Sequence, residues 1–246
     1  MLVVFTLILC RVAGLFLVAP FFSRGGVPLR ARVMLAVAIS ICLLPVIPKP
    51  AAVGDAPAVA DGMAGELAIG VSIGLLARML LTAFQLAGEI IAFQMGFALA
   101  SSFDPESEAT EPVISTIHLS LVTVLFLSLD GHHLLVRALA ASFETFPAGA
   151  GIESETLARG LLASASEMYE TGARVAAPVA GLLLLLNAMV GFINRITPQL
   201  SIFNVGFPLT VVGGLLGLIV VLPRLASFFL QAHAQLGERL AMLFGG

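Results

Sequence analysis

Adjacent histidines at positions 132 and 133, with His118 on the preceding apolar run and acids at Asp130 and Glu144, are the residues best suited to hold a metal ion or move a proton. Imidazole and carboxylate groups do both near neutral pH. Their spacing argues against it, because neighbours on a helix diverge by about 100°. No HExxH pair and no cysteine ligand pair accompanies them, and the P-loop and GxGxxG are absent. The sequence therefore predicts no catalytic residue, no metal site and no cofactor. His132 and His133 read instead as an interfacial helix cap behind the Asp130-Gly131 turn. Cys10 and Cys42 lie inside apolar runs, where a thiol behaves as a small hydrophobe.

Charges set among apolar residues carry a different message. Arg78, Thr82, Gln85 and Glu89 step by four, three and four residues, which places them on one helical stripe. Beside it run Gly70, Gly74, Ala77, Gly88, Ala92, Gly96 and Ala100, mostly four residues apart, the spacing that lets helix backbones approach closely. An ionisable group at membrane depth costs about 2.5 to 3.5 kcal/mol on insertion scales, so Arg78, Gln85 and Glu89 are expected as a buried polar stripe.

These residues need a membrane to be informative, and composition supplies it. Of 246 residues, 59% are hydrophobic and 11% charged, with a mean hydropathy of +1.07. That is too apolar for a soluble domain. The net charge of −3 and the lack of any basic block exclude a nucleic-acid role. Apolar runs near 2–22, 29–47, 64–100, 113–129, 175–193 and 205–222 predict an all-α polytopic membrane protein of about six hydrophobic elements, in a single domain over 1–246. The first run, with no basic stretch before it, is expected to be a retained helix. Arg24, Arg30 and Arg32 put the first turn in the cytoplasm by the positive-inside rule. Pro48 to Gly62 is expected as a Pro/Ala/Gly loop, and Glu153 to Arg174 as an amphipathic surface helix separate from the span that follows.

Two tracts interrupt this pattern, Gly88 to Pro112 and Asn194 to Thr210. Lipid cannot satisfy a broken backbone, so irregular structure at membrane depth must be buried in protein or line a water path. A single helix from Glu66 to Ser101 would run roughly 54 Å, far beyond the hydrocarbon thickness, and is expected to kink, fold back or leave the membrane. Pro198 predicts a helix break, and Pro208 a kink. Met95, Gly96, Phe97, Phe103 and the Asp104-Pro105 step combine adaptable filling with backbone freedom. Asn194, Arg195, Pro198 and Gln199 separate two long apolar runs; they read either as a plain interhelical turn or as subunit contacts.

Together, GEIIAFQMGFALASSFDP, LDGHHLL, NRITPQLSIFNVGFPLT and the early CRVAGLFLVAPFFSRGGVPLRAR closely resemble the FliR family of flagellar biosynthesis proteins, over nearly the whole chain and in the family's order. Asp130 stands where asparagine is usual. The resemblance implies a non-enzymatic subunit of the flagellar type III protein export gate, in the bacterial inner membrane at the basal body. There it joins FliP and FliQ in a channel for unfolded flagellar proteins and contacts FlhB. It also implies a plug loop near 96–112, with Gly96, Phe97, Phe103, Asp104 and Pro105 as its members. A virulence-type secretion subunit is the nearest alternative; Leu209-Thr210 after Phe207-Pro208, in place of an early lysine, favours the flagellar branch. A secondary transporter with broken helices is the alternative from another class, although the interruptions near Phe103 and Pro198 have dissimilar flanks.

Overall fold

A computed structural model describes residues 2–20, 28–47, 56–97, 113–149, 154–197 and 202–244. The described residues form seven α-helices and no strand: α1 Leu2–Val18, α2 Leu29–Leu43, α3 Ala56–Gln94, α4 Val113–Ser128, α5 Gly131–Thr145, α6 Ser154–Ile196 and α7 Ile202–Phe244. Three of them are long and apolar enough to cross a membrane, or four if α4 and α5 count as one bent span. The all-α, polytopic expectation holds, with fewer full spans than the six apolar runs suggested.

The differences are mostly in where helices begin and merge. The expected loop before Gly62 is already helical from Ala56. Alanine is the best helix former, and Pro57 falls in the first turn, where its missing N–H has no intrahelical partner to lose. The polar stretch from Glu153 and the apolar run to Ile193 are not two elements but one 43-residue helix, α6, with Pro178 inside it. In its first half, exposed pairs Glu155–Arg159 and Glu170–Arg174 sit at i,i+4 and support the polar face. Likewise α7 continues through Pro208 and Pro223 for 43 residues. At 1.5 Å per residue each of these two helices is about 65 Å long, twice the hydrocarbon thickness of about 30 Å.

By its own contacts the chain divides into two compact units. The first comprises Met1–Leu80, Phe126–Ser166 and Ala232–Gly246, and the second Leu81–Leu125 and Glu167–Gln231. In the first unit α1 packs against α2 and α3. Small residues make this possible: a Cβ on Gly14 would meet the Leu67 carbonyl, one on Gly70 the Arg11 carbonyl, and one on Gly74 the Leu15 carbonyl. The α1 and α3 backbones are therefore in direct contact, as the glycine spacing on α3 predicts. α2 buries only Ala36, Ser40 and Leu43 and leaves the rest of its apolar surface open. In the second unit Gly88 of α3 does for α4 what Gly70 does for α1, lying against the Ser115 backbone. Phe84 and Phe229 meet edge to face at 5.2 Å in its core.

Candidate functional site

Arg11 is the largest fully buried side chain among the described residues. Its Nε and Nη2 donate to the two carboxylate oxygens of Glu66, which is itself 1% exposed. Nη1 donates to Ser142 Oγ at 2.9 Å, and Nη2 also to the Phe146 carbonyl at 2.8 Å. The guanidinium carbon lies 3.7 Å from the centre of the Phe143 ring. Glu66 in turn accepts from the Gly149 N–H at 2.9 Å. One bidentate pair thus ties α1, α3 and the end of α5 together, each charge paired and its polar atoms bonded. Arg11 is visible in the sequence as a charge within an apolar run. Glu66 gave no comparable signal, standing at the edge of its run beside Gly65.

The second polar node is the C-terminal end of α3, inside the second unit. Helix ends leave backbone carbonyls without partners, a serious cost where water is excluded. Here side chains from other helices supply them: Asn187 Nδ2 of α6 donates to the Gln94 carbonyl at 3.2 Å, and Thr210 Oγ1 of α7 to the Met95 carbonyl at 3.2 Å. Met95 is completely buried, and a Cβ on Gly214 would collide with its side chain. Gly96 then turns the chain at φ +90°, a conformation that L side chains rarely adopt. Phe97 meets Phe207 edge to face, centroids 6.2 Å apart. Asn187 was not singled out from the sequence, and Thr210 was noted only as following the Phe207-Pro208 step, although each is a lone polar residue within an apolar run.

Gly96 and Phe97 are therefore held against α7, while Phe103, Asp104 and Pro105 lie outside the described residues, as do Pro198 and Gln199. The expected stripe is not uniformly buried in this chain. Gln85 is buried and donates to Glu89 Oε1 at 3.2 Å, Glu89 is half-buried, and Arg78 is exposed on the chain's own surface. Asn194 is half-buried and Arg195 exposed in the last turn of α6, which ends at Ile196 just ahead of Pro198 as expected.

The histidines depart from expectation. Asp130 adopts a left-handed conformation at φ 56° and α5 starts at Gly131, so the turn is where the sequence puts it. The rings of His132 and His133 do not diverge; their centroids are 4.2 Å apart at 37°. His133 Nδ1 lies 3.1 Å from Asp130 Oδ1. His118 belongs to the other unit, where its Nδ1 bonds to the Ile114 carbonyl at 3.1 Å on the wall of an aliphatic cleft of about 320 Å³.

Comparison with known proteins places this architecture. The model of a family described as bacterial export proteins, family 1, matches residues 2–236. The flagellar biosynthetic protein FliR of Escherichia coli (strain K12) is 33% identical over 237 residues, covering 95% of this chain and 89% of that protein. FliR of Bacillus subtilis (strain 168) is 30% identical over 222 residues, covering 88% and 85%, and FliR of Caulobacter vibrioides is 29% identical over 234 residues, covering 94% and 92%. Matched over nearly its full length by the family model and by these relatives, the chain belongs to the FliR family of flagellar biosynthetic proteins, within the bacterial export proteins, family 1.

Proposed function

We propose that this chain is a non-enzymatic membrane subunit of the flagellar type III protein export gate. It sits in the bacterial inner membrane at the basal body, packs with FliP, FliQ and FlhB, and forms part of the path for unfolded flagellar proteins. Membership of the FliR family supports the flagellar export role. The observation that carries the assembly is the distribution of uncovered apolar side chains. In the most apolar stretch of α3, 56% of residues are buried within the chain, against 17% in α6 and 22% in α7. Large apolar residues stay exposed from Leu182 to Ile196 on α6 and from Phe207 to Leu222 on α7. Each of those faces runs about 20 Å along its helix. Neighbouring subunits of a multi-subunit gate would cover such faces.

In this reading the segment near 96–112 closes the resting channel. Gly96 and Phe97 lead into it from the capped end of α3, and Phe103, Asp104 and Pro105 form the plug. Asn194, Arg195, Pro198 and Gln199 contact neighbouring subunits, while Gln85 and Glu89 of the polar stripe pair within the chain. The test is mild detergent extraction from cells that express FliP and FliQ. The chain should co-purify with both, and shortening Gly96 to Phe103 should make the assembled complex leak ions. A chain that extracts alone as a stable monomer or homodimer would overturn the gate assignment. Normal assembly with an unchanged leak would remove the plug.

A further inference from the structure

We propose that Asp130, His132 and His133 form a binding site for a divalent transition-metal ion of zinc-like chemistry, at the start of α5. This stands independently of the export role. One ring nitrogen from each histidine and one carboxylate oxygen of Asp130 all lie within 4.8 Å of one another. Consecutive residues on a helix ordinarily project about 100° apart, yet these two rings are adjacent.

The carboxylate is the informative member. Asp130 occupies the N-cap position of α5, where an aspartate side chain normally accepts from the first backbone N–H groups. It makes no such bond. Its oxygen is turned to His133 Nδ1 instead. With Nδ1 free of its proton, His133 and the Asp130 carboxylate present two ligand atoms 3.1 Å apart, close enough for one ion to take both. His132 contributes a second anomaly: its Nδ1 is buried with no hydrogen-bond partner. Leaving such an atom unpaired is unfavourable.

Ligand type sets the class of ion. Two imidazoles and a carboxylate suit zinc, cobalt or nickel, whereas calcium and magnesium prefer all-oxygen shells. The positive end of α5 opposes a cation only weakly at an exposed site, and the Asp130 charge offsets it. Asp130 and His133 are exposed and His132 half-buried, so an ion reaches the site from solvent and open positions are left to water.

Cobalt(II) is the probe, because its visible absorption reports nitrogen and oxygen ligation. The full-length chain is purified in detergent without a histidine tag, with Cys10→Ser and Cys42→Ser to remove competing thiols. One saturable cobalt site per chain is expected, displaced by zinc. His132→Ala and His133→Ala should each weaken it by about tenfold or more, and Asp130→Asn by about tenfold. His118→Ala and His233→Ala should leave it unchanged. Should His132→Ala disturb folding, the exposed His133 still decides the matter, with helicity checked by circular dichroism. No saturable absorption, or the same curve for His133→Ala as for the parent, would overturn the proposal.

Discussion

Arg11 of α1 and Glu66 of α3 form a buried bidentate ion pair at 0% and 1% exposure, although 55 residues separate them in sequence. Four hydrogen bonds leave the Arg11 guanidinium, which has five donors to place. A pair so fully satisfied contributes little net free energy relative to a well-packed apolar substitute, but removing one partner strands a charge.

Glu66→Ala should therefore destabilise the protein by about 3–5 kcal/mol, read as a lower melting temperature in detergent or as loss of accumulated protein. The double replacement Arg11→Met with Glu66→Leu should recover most of that loss. Equal melting of Glu66→Ala and the parent would show that the pair does not hold α1 in place.

Gly70→Ala should cost about 1–3 kcal/mol, because its new methyl would run into the Arg11 backbone carbonyl and push α1 from α3. Gly62→Ala is the comparison. Its Cβ would meet nothing nearer than 3.5 Å, and the gain in helix propensity makes it neutral or stabilising. Thermal melts of the two variants should move apart.

Gly181 and Gly191 on α6 have nothing within 4 Å of an added Cβ. Gly191→Leu should leave the isolated chain's melting temperature unchanged within about 0.5 kcal/mol. If subunits cover this face, the same change should reduce co-purification of the gate and flagellar export. Intact assembly would show that lipid covers α6 there.

Gly96→Ala should be destabilising by on the order of 1–3 kcal/mol, since a side chain is strained at φ +90° and the Phe207 ring lies 3.3 Å from its Cβ. Within an assembled gate it should raise ion leakage more than Gly62→Ala does. Both variants leaking alike would separate Gly96 from closure.

The sequence made the membrane class, the glycine-mediated contacts of α3 and the turns at Asp130 and Gly96 legible, because each depends on local spacing and composition. Helix ends were less legible. Ala56 to Gly62 reads as loop from its Pro, Ala and Gly content, yet its alanines favour helix and Pro57 is tolerated in the first turn. The merging of the polar Glu153 to Arg174 stretch with the next span was hidden for the opposite reason: a change in polarity marks a change of surroundings, not of backbone. Long-range polar partners were the least visible. Nothing near Glu66 announces Arg11, and nothing near Gln94 announces Asn187, since tertiary geometry brings them together across 55 and 93 positions. The closeness of His132 and His133 contradicts the divergence expected of helix neighbours, because it is set where the helix begins and not within a regular turn.

The Arg11 network also fixes an order of events during synthesis. Arg11 emerges from the ribosome 55 residues ahead of Glu66 and 131 ahead of Ser142. Until those arrive, α1 is a 17-residue apolar segment carrying a naked cation, penalised in lipid by about 2.5–3.5 kcal/mol. Its final seat is therefore secured only after α3 and α5 have been translated, 131 residues behind Arg11.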